Sequence, residues 1–151
     1  MTWAHLHLAL NHLPVIGVLL SLCFLTAAVW RGSPELLKAS YWLILFLALV
    51  AWVVYLTGEP AEELVERLPG YSEALVEQHE TAALIATIGM SLLGIAALIG
   101  LLRRQARQWY PKAVLLGALL VAGLMAWTAN LGGQIRHTEI RTSAQAPAGE
   151  G

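Results

Sequence analysis

The chain has 151 residues, 58% of them hydrophobic and 13% charged, with a formal net charge of −1. A water-soluble domain of this length rarely reaches that balance, so a membrane-embedded protein is expected. The near-zero charge gives no electrostatic reason to expect a nucleic-acid partner, and the lone cysteine, Cys23, cannot form an intrachain disulfide.

A helix needs about 20 apolar residues to cross a bilayer. The first such run is Leu13 to Trp30. No basic segment precedes it and no small-residue cleavage site follows it, so it reads as a span rather than a cleaved signal. Its helix is expected at about 8–30, with His5, His7 and His12 at its start. Ser33-Pro34-Glu35 then has the form of a helix start: a side-chain cap, a proline at the first position and an acid near the positive dipole end. The second helix is expected at about 35–57 and contains the run Tyr41 to Thr57.

The next connection is acidic, with Glu59, Glu62, Glu63, Glu66, Glu73, Glu77 and Glu80. Within it, Ala61, Leu64, Val65 and Leu68 fall at i, i+3, i+4 and i+7, one face of a helix. The glutamates take the opposite face. Pro69-Gly70 ends this short amphipathic element, which is expected to lie over the mouth of the bundle. Ser72 can cap the third helix, at about 73–103, which carries His79 and Glu80 near its start. Trp109 and Tyr110 suit a headgroup-level aromatic belt, and Pro111 opens the fourth helix, at about 111–134. His137 stands just past its end. The tail, 141–151, is small, polar and aperiodic, and flexibility is expected there. No long internal repeat is evident in the sequence.

These elements predict an all-α fold: an integral-membrane four-helix up-down bundle, one domain over 1–140, with a short amphipathic surface helix between helices 2 and 3. Arg31, Lys38, Arg103, Arg104, Arg107 and Lys112 fall in the first and third connections, against Arg67, Arg136 and Arg141 on the other side. The bias predicts a cytoplasmic face for the first group and extracytoplasmic termini. The expected location is the inner (cytoplasmic) membrane of a prokaryote.

All five histidines then fall at one edge of the membrane. Imidazole is the commonest metal-binding side chain, and a polar ring near lipid is costly without a partner. His12, His79 and His137 come from three helices whose ends meet in such a bundle. His7 and His12 are five apart and point in different directions on a regular helix, so His7 needs an irregular turn to join the same centre. His5 shares a face with His12. Small residues (Ala83, Ala86, Gly89 on helix three; Gly123, Ala126, Gly133 on helix four) either let helices approach closely or leave room for a flat macrocycle. Asn130 and Gln134 are polar groups that could orient a ligand.

Thiolates are missing from this edge, which argues against iron–sulfur clusters and thiolate zinc sites, and no CxxCH marks covalent haem. Two imidazoles on facing helices suit haem b. Three imidazoles, His12, His79 and His137, with Glu80 would suit a copper, zinc or iron ion.

Several short motifs carry a resemblance. His7-x4-His12-Leu-Pro14, Ala39-Ser-Tyr-Trp, Leu56-Thr-Gly58-Glu59, His79-Glu80 and Leu131-Gly132-Gly133-Gln-Ile-Arg-His137 resemble an uncharacterised prokaryotic four-helix membrane family, a domain of unknown function. The family's opening reads HPxxxHFP and its ending LGGxLVYxHG; this chain departs at Leu8, Leu13 and Thr138. Members are sometimes joined to Rieske iron–sulfur domains, which implies an electron-transfer setting and haem. Carried over residue by residue, the resemblance implies cofactor-binding roles for His7, His12, His79 and His137.

Three functions compete. A small b-type cytochrome would pass electrons through haem near the extracytoplasmic surface, with the acidic loop docking a basic redox protein. A non-haem metal site would need three or more of the histidines. A structural or assembly subunit of a larger membrane complex would use them only as hydrogen-bonding groups. An electron carrier or binding subunit is expected rather than a stand-alone enzyme, with the lipid bilayer as its surroundings.

Overall fold

The computed structural model describes residues 2–67, 69–103 and 108–141, without the side chain of Val65. Leu68, Arg104, Arg107 and the tail beyond Arg141, which figured in the expectations above, lie outside the described residues. The elements are α1 (Trp3–Leu10), α2 (His12–Arg31), α3 (Pro34–Leu56), α4 (Gly58–Val65), α5 (Glu73–Leu102) and α6 (Trp109–Arg136), followed by a 3-10 turn, Thr138–Ile140. No strand occurs among the described residues.

Local chemistry sets the boundaries. Thr2 caps α1, its hydroxyl accepting from the His5 N–H at 3.3 Å, so the first span starts earlier than the residue 8 expected from hydropathy. Between α1 and α2 the chain breaks at Asn11. Pro14 accounts for the break: it has no N–H for the Leu10 carbonyl, and its ring crowds that carbonyl. Gly32, at φ +63°, closes α2 in the left-handed conformation, and the Ser33 N–H returns to the Ala28 carbonyl at 3.1 Å. Ser33 then caps α3, accepting from the Leu36 N–H at 3.3 Å, with Pro34 at the first helical position.

Four helical stretches are long and apolar enough to cross a membrane: Trp3–Arg31, Pro34–Leu56, Glu73–Leu102 and Trp109–Arg136. Around the bundle the order is α2, α3, α5, α6 and back to α2. Consecutive spans run antiparallel, as short connections require. The starts of α1 and α5 and the ends of α3 and α6 therefore share one end, called here the histidine end.

The core holds Val18, Leu25, Ile44, Leu47, Met90 and Val121. The outer surface is just as apolar: Trp42, Phe46, Leu49, Leu92 and Leu116 are exposed. In lipid such a surface costs nothing, so packing and hydrogen bonds rather than water exclusion hold the helices together. Packing is close where glycine faces a neighbouring helix; a Cβ on Gly94 would stand 2.8 Å from the Cβ of Ala48. Two buried serine hydroxyls are satisfied within their own helices, Ser21 donating to the Gly17 carbonyl at 2.9 Å and Ser40 to the Leu36 carbonyl at 2.7 Å. The Trp52 indole N–H crosses from α3 to the Ser91 hydroxyl on α5 at 2.9 Å.

The short helix expected between the second and third spans is α4, which packs on α1. Its faces are not divided as the heptad spacing implies. Leu64 is exposed and Glu62 is half-buried, an arrangement that suits a helix lying at a lipid–water boundary with apolar side chains free to meet lipid.

Candidate cofactor site at the histidine end

His7 projects from α1 toward the end of α3. Its Nδ1 lies 3.0 Å from the Val54 carbonyl oxygen and 3.3 Å from the Thr57 hydroxyl oxygen. A carbonyl can only accept, so Nδ1 carries the proton and donates. The Thr57 hydroxyl is buried and directs its own proton to the carbonyls of Val53 or Val54, at 2.9 and 3.0 Å, so its oxygen can only accept from the ring. The neutral imidazole then has its lone pair on Nε2.

His79, on α5, makes the corresponding contact with α6. Its Nδ1 donates to the Thr128 carbonyl at 3.0 Å, and it too keeps a lone pair on Nε2. Its ring rests on Gly132, where a Cβ would come within 3.1 Å of Cε1. His7 passes Gly58 less closely, at 4.0 Å from a Cβ built there. The two rings lie within electrostatic reach of each other. An Nδ1–H tied to a backbone carbonyl, with Nε2 left free, is how proteins orient a ligating histidine. Asn11 lies one turn beyond His7 on the same face, and its Oδ1 is buried without a hydrogen-bond partner.

The other expected site residues stand elsewhere. His12 is exposed: Asn11 keeps helical dihedrals, so five residues of nearly continuous helix turn His12 away from the face that His7 presents to the bundle. His137 is the C-cap of α6, its N–H bonded to the Gly133 carbonyl at 2.8 Å, and its exposed ring pairs with Glu139 at 2.9 Å. His5 is exposed and bonds the Thr2 hydroxyl at 2.6 Å. The convergence of His12, His79 and His137 is thus replaced by a pair, His7 and His79. Glu80 is exposed and meets Glu62 of α4 instead. Burial, a hydrogen bond to Glu80 and the charges of Glu80, Glu66 and Glu59, in that order, push the Glu62 carboxyl above its usual range. Among the described residues no three His, Cys, Asp or Glu side chains gather so as to hold a metal ion.

Sequence reasoning missed the residues that orient the pair: the carbonyls of Val54 and Thr128, the Thr57 hydroxyl and the gap left by Gly132. The motifs Leu56-Thr-Gly58 and Leu131-Gly132 flagged their neighbourhoods, but a backbone carbonyl has no signature in sequence.

Two imidazole nitrogens from separate helices, without a third side-chain donor, form the donor set that haem iron takes from a protein, since the porphyrin fills the remaining four positions.

Among protein families, the model of DUF2231, described as a predicted membrane protein, matches residues 4–140. No curated protein and no solved structure matches the chain.

Proposed function

The chain belongs to the DUF2231 family of predicted membrane proteins, and from that premise we propose that it is a small b-type cytochrome-like electron carrier whose haem is ligated by Nε2 of His7 and His79. One observation carries this reading: two imidazoles from two helices each donate Nδ1–H to a backbone carbonyl, at 3.0 Å in both cases, and each keeps a free Nε2. Haem bound there would supply a one-electron couple. His7 and His79 would both hold the iron, and the group would then supply electron transfer rather than oxygen binding.

The basic residues Arg31, Lys38, Arg103 and Lys112 lie at the other end of the bundle. By the positive-inside rule the histidine end is extracytoplasmic in a prokaryotic inner membrane. The glutamates of α4 and the start of α5 then face outward and would steer a basic redox partner toward the haem edge.

The test is the visible spectrum of detergent-purified protein expressed with ample haem, oxidised and then reduced with dithionite. A Soret band that shifts on reduction, with sharp α and β bands, is expected. H7A or H79A should weaken hemin binding and remove the sharp α and β bands, while H12A and H137A should leave the spectrum unchanged. Colourless protein overturns the haem reading; stoichiometric copper, zinc or iron in that sample would put an ion between the same rings.

A further inference from the structure

The two histidine contacts share one plan, apart from the Thr57 hydroxyl, whose counterpart is Leu131. His7 donates to the Val54 carbonyl and passes Gly58, four residues further along; His79 donates to the Thr128 carbonyl and rests on Gly132, again four residues along. The shift that carries His7 onto His79 carries Ala4 onto Val76, Val18 onto Met90, Ser21 onto Leu93 and Leu25 onto Ala97, all of them buried. It also carries Gly17 onto Gly89 and Arg31 onto Arg103.

The shift that carries Val54 onto Thr128 does the same for the second helices. Ile44 falls on Ala118, Leu47 on Val121, Ala48 on Ala122 and Ala51 on Met125, all buried, and Lys38-Ala39 falls on Lys112-Ala113. Any two bundle helices share a burial period at some register. Here the register is fixed beforehand by the histidine–carbonyl contacts, and these core positions then coincide without adjustment; the match fails at the outer end, where buried Leu75 falls on exposed Trp3. The neighbour relations obey the same exchange: α2 on α3 becomes α5 on α6, and α3 on α5 becomes α6 on α2.

We infer that the protein is a tandem pair of one helical hairpin related by a pseudo-two-fold axis along the bundle, and that His7 and His79 present their Nε2 lone pairs across this axis as equivalent partners of a single ligand. That ligand is a Lewis-acid centre with two open, opposed positions. Its identification as haem iron rests on the function proposed above; the equivalence of the two rings does not. The exchange also separates these two histidines from the rest. His5, His12 and His137 map onto Glu77, Leu84 and Glu63, so none has a histidine counterpart.

Imidazole nitrogen NMR of the full-length, ¹⁵N-histidine-labelled protein, without haem and then with one equivalent of hemin, tests this. H7Q and H79Q samples assign the signals. Before hemin, His7 and His79 should both appear as the Nδ1–H form with Nε2 unprotonated. On addition of hemin both Nε2 signals should be lost together, and H7A and H79A should each lower hemin affinity by a similar factor, about tenfold or more. Different tautomers in the two rings, or one ring unmoved by hemin, would overturn the equivalence. Matching tautomers with no response to hemin would support the equivalence and overturn the haem assignment alone. The wild-type tautomers stand as a readout even where a variant fails to fold.

Discussion

Gly132 lies against the imidazole of His79: a Cβ there would stand 3.1 Å from Cε1 and 3.5 Å from Nδ1. The missing Cβ is what admits the ring between α5 and α6, where its Nδ1–H reaches the Thr128 carbonyl at 3.0 Å. That carbonyl is one turn before Gly132 on the same helix face, so the gap and the acceptor come as a unit. This glycine is there for a close approach rather than for backbone conformation.

Substitution at Gly132 should therefore strike the site before it strikes the fold. G132V is expected to push the His79 ring off its carbonyl and lower hemin affinity by about tenfold or more. G58A should leave binding near wild type, since its Cβ would stand 4.0 Å from the His7 ring, an ordinary contact. Hemin titration of the two purified variants checks both. Wild-type affinity in G132V would show that His79 does not hold the ligand.

Glycines deeper in the bundle make a stability prediction. A Cβ on Gly94 meets the Ala48 Cβ at 2.8 Å, and one on Gly100 would press into the Tyr41 ring. Neither neighbour can rotate away, so G94A and G100A should each destabilise by about 1–3 kcal/mol. G17A meets both δ-methyls and the Cγ of Leu47, the last at 3.1 Å, in a side chain buried in the core, and should destabilise by a similar amount. G123A, with nothing within 4 Å, should fall within about 0.5 kcal/mol of wild type. Thermal unfolding in one detergent ranks them; a G123A as damaging as G94A would mean that α6 has a neighbour on its lipid-facing side.

Much of the fold was legible because a membrane span writes itself in plain composition. The four apolar runs, the Ser33-Pro34 helix start and the short helix after Thr57 all follow from length, capping and period. The site was less legible. Choosing His7 over His12 depends on which face of the first span meets the bundle, and an apolar run with His at both positions does not say. The hairpin repeat is hidden in sequence because matched core positions exchange size and polarity, as in Val18 with Met90, Ser21 with Leu93 and Ile44 with Ala118. Only the buried faces, once known, reveal it. Arg141 counted in the sequence merely as a charge, because the carbonyls it joins are distant in the chain.

Those carbonyls define the next prediction. Arg141 donates from Nε to Gln134 O at 2.8 Å, from one terminal nitrogen to Gly70 O at 2.7 Å and from the other to Ile135 O at 3.0 Å. Two of these are unpaired carbonyls of the last turn of α6, and the third belongs to the loop after α4. Hydrogen bonds from a charged donor are worth about 1.5–3 kcal/mol each when partly buried. R141A should release the loop around Gly70, seen as faster amide exchange in residues 70–72 with the transmembrane helices unchanged. R141K, with its donors on one nitrogen, should rescue only part of the protection. Unchanged exchange in R141A would show that the loop is held by other contacts.

The acidic contact between α4 and α5 predicts a dependence on pH. Burial, the hydrogen bond to Glu80 and the charges of Glu80, Glu66 and Glu59 raise the Glu62 carboxyl. The folded protein therefore binds this proton more tightly than the unfolded chain does. A raised folded value means the stabilisation is complete below the ordinary carboxylate range and is lost as pH rises through the folded value. Tyr71, also raised, by burial and by Glu62, Glu66, Glu73 and Glu80, stays neutral across this range and adds no titration. Amide exchange in residues 58–65, corrected for its intrinsic pH dependence, should accelerate as the pH is raised from about 4 to about 8. E62Q keeps a neutral hydrogen-bonding group facing Glu80 and should flatten the profile while holding α4 in place at the upper end. A flat wild-type profile, or one that E62Q leaves unchanged, would mean that the shared proton does not fasten α4 to the bundle.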